Sequence, residues 1–69
     1  MSRTFKMVTV VGTSSESIED AIQNAVKDAG GSLRNLGWFE VKEMRGRIEG
    51  NGVYEYQVKV DIGFKIERE

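Results

Sequence analysis

The sequence predicts an α+β fold of the βαββ type, with one helix packed on one face of a three-stranded antiparallel sheet. Two patterns lead to this prediction. The last part of the chain alternates between apolar and polar side chains from Tyr54 to Glu67, which is typical of a half-buried antiparallel strand. An earlier segment that starts at Ile18 repeats its apolar residues at helical spacing instead. The elements follow one another as strand, helix, strand and strand.

The alternating segment defines the third strand and its two faces. Its apolar face carries Tyr54, Tyr56, Val58, Val60, Ile62, Phe64 and Ile66, and its polar face carries Glu55, Gln57, Lys59, Asp61, Gly63, Lys65 and Glu67. Gly50-Asn51-Gly52 joins this strand to the preceding one, and its Asn-Gly pair favours the positive backbone angles that tight hairpin turns require. The third strand is therefore expected to form a hairpin with the second.

The first strand is predicted from Phe5 to Val11, where β-branched and aromatic residues are frequent, and is expected to end at Gly12. Its alternation is poor, because Val8, Val10 and Val11 are all apolar. Two explanations stay open at this point. Either both faces are covered, as in a central strand, or the outer face meets another subunit.

A helix is predicted from Ile18 to Arg34, after a turn formed by residues 12–16. Ser17 is the expected N-cap, and Asp20 three residues later resembles a capping box. Its apolar stripe consists of Ile18, Ala21, Ile22, Ala25, Val26, Ala29 and Leu33. Gly30-Gly31 weakens the later part, since each glycine costs an exposed helix about 1 kcal/mol relative to alanine.

The second strand is predicted from Leu36 to Glu49, and its apolar phase changes along the way. Since the third strand keeps its phase, a β-bulge between Val41 and Met44 accounts for the change. A turn centred on Asn51 then pairs Met44 with Val58 on the inside and Arg45 with Gln57 on the outside. A right-handed crossover and hairpin pairing place the third strand in the middle, giving the sheet order 1-3-2.

The composition limits the possible functions. A chain of 69 residues, predicted to form a single domain over residues 1–69, buries a small core, and such scaffolds usually need disulfides, a metal or association. The absence of Cys and His removes disulfides, thiolate ligands and the commonest general base, so self-association is the favoured support. A net charge of −1 gives no broad positive field for nucleic acid. No apolar run could cross a membrane and no targeting signal is visible, so a cytoplasmic location is expected.

The lone tryptophan is the most informative residue of the predicted outward sheet face. Its phase places Trp38 away from the helix and near Gly63, with Arg45, Gln57 and Lys65 on the same face and Glu40, Lys42 and Asp61 nearby. The indole could pack at a subunit interface or fold over Gly63. It could also form a platform for a flat aromatic ligand, whose edges an amide and a guanidinium would bind.

The other candidate sites are weaker. Arg45-Gly46-Arg47 could clamp a phosphate, but ordinary surface charge on a solvated strand explains these residues as well. No nucleophile, base and oxyanion hole can be assembled from the sequence, so an enzyme is not expected. Tyr54 and Tyr56 are assigned to the rim of the core.

Nearly the whole chain resembles the dodecin family, from Phe5 to Glu67 without an evident gap. The resemblance lies in the order and spacing of several segments: Val10–Ser14, Ser17–Val26, Leu33–Leu36 with Trp38, Glu40–Glu49, Tyr56–Val60, and Gly63-Phe64. Gly30-Gly31 departs from the family, whose members usually carry better helix formers there.

This resemblance implies a βαββ protomer that assembles into a hollow homododecamer and binds flavins such as FMN, riboflavin or FAD. In the family, tryptophans of two protomers enclose a pair of stacked flavins, and a glutamine binds the isoalloxazine edge. The matching residues are Trp38 and Gln57. Arg45 matches an arginine near the flavin tail, and Lys65 stands where some members carry arginine. Some members bind coenzyme A or hold ions on symmetry axes, and neither site is assigned to residues here.

The expected function is therefore flavin storage or sequestration. Three alternatives remain: an oligomer that binds coenzyme A or another aromatic ligand without a flavin role, a small nucleic-acid-binding sheet, and a structural oligomer with Trp38 at an interface. The nucleic-acid alternative would use Trp38 for base stacking and Arg45 and Arg47 for phosphates. The acidic pI of about 5.4 disfavours it.

Overall fold

The computed structural model describes residues 3–66, which form three strands and one helix in the order strand, helix, strand, strand. The elements are β1 (Phe5–Ser14), α1 (Ile18–Gly30), β2 (Leu36–Glu49) and β3 (Gly52–Lys65). All neighbouring strands are antiparallel, and β3 lies between β1 and β2. The predicted fold class and the sheet order 1-3-2 are confirmed. Glu67, which the pattern assigned to the polar face, lies outside the described residues.

Strand β1 is longer than predicted and lies at the edge of the sheet. It continues through Gly12 to Ser14, which pairs with Tyr56, so the prediction that it ends at Gly12 is wrong. Gly12 does not stop the strand because it pairs with Val58 and lets α1 approach the sheet closely. As β1 pairs only with β3, the central-strand explanation of its poor alternation is also wrong.

The predicted start of α1 is confirmed, but the carboxylate of Asp20 has a different partner from the one that a capping box would give it. The backbone N–H of Asp20 donates to the hydroxyl of Ser17 over 3.0 Å, as expected of an N-cap. The carboxylate of Asp20 instead accepts from the hydroxyl of Ser14 over 2.7 Å. Ser14 Oγ in turn accepts from the backbone N–H of Glu16 over 2.9 Å. Ser14 therefore joins the end of β1 to the first turn of α1.

The end of α1 differs from the prediction, because the helix stops at Gly30 and not at Arg34. The N–H groups of Gly31 and Ser32 bond to carbonyls three residues back, which tightens the final turn. Asn35 then adopts a left-handed φ of 61°, and its carbonyl accepts from the N–H of Lys65. The two glycines lower the helix propensity enough for this turn to compete. Leu33 still packs against the core from outside the helix.

The β2–β3 hairpin has the predicted register in its middle. Met44 pairs with Val58, Arg45 with Gln57 and Trp38 with Gly63, and the predicted bulge is present with Lys42 as the extra residue. Two further register shifts, between Leu36 and Trp38 and between Arg47 and Ile48, were not predicted.

The shift near the turn moves Tyr54 away from its predicted place on the apolar face. Arg47 pairs with Glu55 and Ile48 pairs with Val53, so Tyr54 is the extra residue on β3. Its ring lies 4.8 Å from the guanidinium carbon of Arg47, which stabilises the outward position by a cation–π contact. Tyr56 keeps the predicted face.

The core lies between α1 and the sheet and is built from small helix residues against branched strand residues. Its buried members are Ala21, Ala25, Ala29, Val58, Val60 and Ile62. The inner face of β2 is much less covered, with Phe39, Val41, Met44 and Ile48 between 40% and 70% exposed. The helix therefore covers β1 and the central part of β3 and leaves the inner face of β2, with the end of the hairpin near the turn, open.

The close contact between helix and edge strand predicts that Gly12 is required for stability. A Cβ atom at this position would lie 2.1 Å from the carbonyl oxygen of Ala21 and 2.7 Å from the Cβ of Ala25. We expect Gly12→Ala to lower the free energy of unfolding by about 1–3 kcal/mol, because helix and strand must separate to admit the methyl group.

Chemical denaturation at one fixed protein concentration measures this effect. Gly52→Ala is the matched control, since a Cβ there meets no atom within 4 Å and Gly52 has no positive φ. Equal denaturation midpoints for the two variants would show that the backbone adapts at Gly12.

Candidate ligand-binding site

The face of the sheet turned away from α1, called the outer face below, holds every residue predicted for the site. The register places Trp38 and Arg45 of β2 and Gln57 and Lys65 of β3 on this face. Sheet alternation and the bulge at Lys42 produce this arrangement, because the extra residue keeps both Trp38 and Arg45 pointing outward. The predicted placement is confirmed, and the roles of these residues stay predictions.

The indole of Trp38 lies directly on the backbone of Gly63. A Cβ atom at Gly63 would come within 2.5 Å of the ring, so only glycine leaves room for the indole. The ring of Phe5 meets it edge-on, with centroids 5.2 Å apart and planes at 68°. The predicted contact with Gly63 is thus present, yet Trp38 remains 41% exposed. One ring face is supported by the protein while a planar group can still reach the indole from solvent.

The indole N–H is held by a carboxylate on the same strand. Trp38 Nε1 donates to Glu40 Oε2 over 3.1 Å, and Lys42 Nζ lies 3.3 Å from Glu40 Oε1. The pKa of Glu40 lies below its ordinary value of 4.5, mainly because the carboxylate accepts the indole N–H and also because of Lys42. Partial desolvation and the charge of Asp61 oppose this shift more weakly. Glu40 is therefore ionised at neutral pH and available as an acceptor.

The amide of Gln57 is held at both ends by neighbouring side chains. Arg45 Nε donates to Gln57 Oε1 over 2.8 Å, and Gln57 Nε2 donates to Glu55 Oε1 over 2.9 Å. These two bonds fix which end of the amide is the oxygen and which is the nitrogen. Arg45 and Gln57 also line a shallow cavity of about 150 Å³ together with Val11, Glu43 and Lys59.

The structure does not bring all four predicted residues together within one protomer. Trp38 lies opposite Gly63, whereas Gln57 lies six residues earlier on β3. At about 3.3 Å per residue, this separates the two positions by about 20 Å along the strand. Lys65 is exposed on the outer face beyond Gly63, where it pairs with Phe5. The indole and the amide therefore form two separate groups on one face.

Two contacts at the site were not found from the sequence. Phe5 lies on the outer face of β1 beside Trp38, and Glu55 holds the amide of Gln57. Glu55 shares its strand face with Gln57 two residues away, so alternation alone could have indicated that contact. The contact of Phe5 depends on the register between β1 and β3, and no short turn fixes that register.

The opposite face of the hairpin carries an open apolar cleft of about 410 Å³. It is lined by Ile18, Met44, Arg45, Gly46, Ile48, Val53 and Tyr56. Met44, Ile48 and Val53 are 61%, 70% and 58% exposed. A contiguous apolar surface that is this exposed is unusual on a small protein. Such a surface is typical of a contact with another protein chain.

Within residues 3–66, the structure holds no group of three or more His, Cys, Asp or Glu side chains arranged to bind a metal ion. Its helix has neither the length nor the apolar character needed to cross a bilayer.

Comparison with known proteins identifies close relatives over almost the full length. The family model described as dodecin matches residues 4–67. The curated dodecin of Thermus thermophilus is 52% identical over 67 residues, which is 97% of each chain. A crystal structure of a Thermus thermophilus protein is 50% identical with a TM-score of 0.94, covering 99% of this chain and 100% of the other. The dodecin of Streptomyces davaonensis is 35% identical with a TM-score of 0.96 and the same coverage.

The lowered pKa of Glu40 predicts how the indole responds to pH. The hydrogen bond to the ionised carboxylate should be complete above pH 4.5 and should be lost as the pH falls through the lowered pKa. Because Trp38 is the only tryptophan of the sequence, its indole N–H gives a single NMR resonance. We expect this resonance to shift with a midpoint below 4.5.

Lys42→Met should raise that midpoint toward 4.5, because it removes the cation that favours the ionised form. Lys27→Met, on the exposed side of α1, is the control and should leave the midpoint unchanged. A wild-type midpoint at or above 4.5 would contradict the assignment of Glu40 as the acceptor.

Proposed function

Because the chain belongs to the dodecin family, we propose that it is a non-enzymatic flavin-binding protein that stores or sequesters flavins. The observation that carries the proposal is the exposed indole of Trp38, which lies on Gly63 and faces away from the core. An indole in this position offers a flat aromatic surface to a planar ligand. FMN, riboflavin and FAD share the isoalloxazine ring that would stack on it.

The support of Trp38 by Gly63 determines how a ligand would be enclosed. The backbone of Gly63 blocks one face of the indole, so a flavin can stack only on the opposite face. A single protomer therefore cannot sandwich the ring. Enclosure requires a second aromatic surface from another copy, which agrees with a stacked flavin pair between the Trp38 side chains of two protomers.

The separation of Trp38 from Gln57 leads to the same requirement. Their positions are about 20 Å apart along β3. This exceeds the length of an isoalloxazine ring, so one flavin cannot stack on the indole and also reach the amide of the same protomer. We infer that each flavin site combines Trp38 of one copy with Gln57 of another.

The fixed amide of Gln57 matches the polar edge of an isoalloxazine. That edge presents a carbonyl acceptor beside an N–H donor. Gln57 Oε1 keeps one lone pair after accepting from Arg45, and Nε2 keeps one hydrogen after donating to Glu55. The amide can thus accept from the flavin N–H and donate to its carbonyl at the same time. The cations of Arg45 and Lys65 would favour the phosphate of FMN or FAD.

The open inner face of the hairpin supports self-association, and we propose a hollow homododecamer as the assembly. The exposed side chains of Met44, Ile48 and Val53 lie beside a cleft that the protomer's own helix does not fill. Covering them with further copies would remove apolar surface from water, which stabilises association. Coenzyme A is the second ligand to test on the assembled protein.

Stacking on Trp38 also suggests what the binding is for. An indole is a good electron donor, so an excited flavin beside it should be quenched by electron transfer. Sequestered flavin would then carry out less photochemistry in the cell.

Titration of riboflavin or FMN with the purified protein tests the proposal. We expect flavin fluorescence to fall on binding to the wild-type protein. Trp38→Ala should weaken binding by about 1–3 kcal/mol, which is the range found when aromatic stacking partners of planar bases are removed. Gln57→Ala should weaken binding while quenching of the bound flavin persists.

Light scattering on the same samples provides the control. An intact Trp38→Ala assembly with reduced binding indicates a ligand platform, whereas dissociation indicates a structural interface. Unchanged emission with the wild-type protein, or equal quenching by Trp38→Ala, would contradict the flavin site. Salt-dependent binding of single-stranded oligonucleotides without flavin affinity would support the nucleic-acid alternative instead.

The exposed apolar cleft predicts a variant that assembles poorly. Ile48→Lys places a charge where we expect a neighbouring copy to pack, so the assembly should shift toward smaller species in light scattering. Gln23→Lys introduces the same charge on the exposed side of α1 and is the control. If Ile48→Lys has the same mass as the wild-type protein, the cleft is not an assembly interface.

A further inference from the structure

The contacts of Trp38 restrain its ring in different ways. Gly63 lies against one ring face and Phe5 meets the ring from the side, with 5.2 Å between the two centroids. Gly63 and Phe5 limit how far the ring can tilt, but they restrain less strongly a sliding of the ring over Gly63 when the side chain turns about its Cα–Cβ bond. The hydrogen bond from Nε1 to Glu40 is directional and attaches at one atom of the ring edge. It is the contact that fixes where the indole lies on the outer face.

Glu40 is itself held in place by a row of side chains that crosses the sheet. Its second oxygen lies 3.3 Å from Lys42 Nζ, which also lies 3.9 Å from Asp61 Oδ2 on β3. The other oxygen of Asp61 accepts from Thr9 Oγ1 on β1 over 2.6 Å. All three strands therefore contribute to the position of the carboxylate.

Lys42 supplies the cation of this row. It is the extra residue between the pairs of Val41 with Val60 and Glu43 with Lys59. Alternation along β2 keeps Lys42 on the outer face with Glu40, two residues earlier, and its ammonium group lies close to both Glu40 and Asp61.

We propose that Glu40 is a positioning residue of the flavin site: its carboxylate holds the indole of Trp38 in the orientation that stacks on the isoalloxazine. This inference rests on the proposed flavin-binding function. Stacking depends on the overlap of two rings, so an indole that can occupy several χ1 and χ2 positions loses side-chain entropy when the ligand binds. Glu40 removes that cost in advance, although it need not touch the ligand.

The test compares Glu40→Ala, Glu40→Gln and Glu49→Ala in the assembled protein, whose size is checked by light scattering. Glu49→Ala is the matched control, because Glu49 is also an exposed glutamate of β2 bonded to a cation, Arg47 at 2.7 Å. The first readout, without ligand at pH 7, is the single indole N–H resonance. The second is riboflavin affinity, since riboflavin has no phosphate and reports on the ring contacts.

We expect Glu40→Ala to move the indole resonance upfield and to weaken riboflavin binding about fivefold, the effect of losing one ordinary hydrogen bond. Glu40→Gln keeps a neutral acceptor of the same length, so it should recover part of both losses and remains informative if the alanine variant fails to assemble. Glu49→Ala should match the wild-type protein in both measurements.

Two results would overturn the inference. One is an indole resonance that stays in place in Glu40→Ala, which would mean that Glu40 does not hold the ring. The other is a shifted resonance with unchanged riboflavin affinity, which would mean that the orientation is irrelevant to binding. If the wild-type protein itself binds no riboflavin, the proposed function fails, and the resonance still reports separately on whether Glu40 holds the indole.

Discussion

The structure depends on a mismatch in length between the helix and the hairpin it packs against. The 13 residues of α1 span about 20 Å, whereas a 14-residue strand such as β2 or β3 spans about 46 Å. A single short helix cannot cover that much sheet, and the principal extents of 54 × 20 × 13 Å reflect this. The helix packs where small residues allow close approach, at Gly12, Ala21 and Ala25. The far end of the hairpin consequently leaves apolar side chains uncovered, so the fold of one protomer already favours association.

The bulge at Lys42 connects this architecture to the outer face. Without the extra residue, the alternation of β2 would turn either Trp38 or Arg45 toward the helix. With it, the indole and the guanidinium lie on one face, while Val41 and Met44 both stay on the inside opposite Val60 and Val58. The bulge therefore keeps apolar side chains toward the core on one side of the sheet and places polar and aromatic groups together on the other.

Local sequence patterns predicted the fold better than they predicted its boundaries. The alternation of β3 fixed its faces, and the phase change in β2 located the bulge, because both signals lie within one hairpin joined by a short turn. The ends of α1 and β1 were predicted wrongly because glycine has opposite effects on the two elements. Gly30 and Gly31 let the helix stop, whereas Gly12 lets a strand continue beneath a helix. The position of Tyr54 was missed because the regular alternation of β3 gives no sign of the register shift near the turn, which makes Tyr54 the extra residue and places its ring beside Arg47.

The candidate site was predictable as a set of residues on one face, since alternation needs no tertiary information. Its division into two groups was contained in the predicted register, which places Trp38 opposite Gly63 and Arg45 opposite Gln57. The consequence appears only when the distance between Trp38 and Gln57 is compared with the size of a ligand. Gly63 blocks one face of the indole, and about 20 Å separates Trp38 from Gln57. On the proposed function, a ligand must therefore touch more than one copy to use both groups. A ligand that binds only the assembled form stabilises that form by mass action, so flavin binding and assembly would support each other. The uncovered apolar side chains of the hairpin and the exposed indole then have the same consequence. The protomer needs neighbouring copies both to cover its apolar surface and to complete its ligand site.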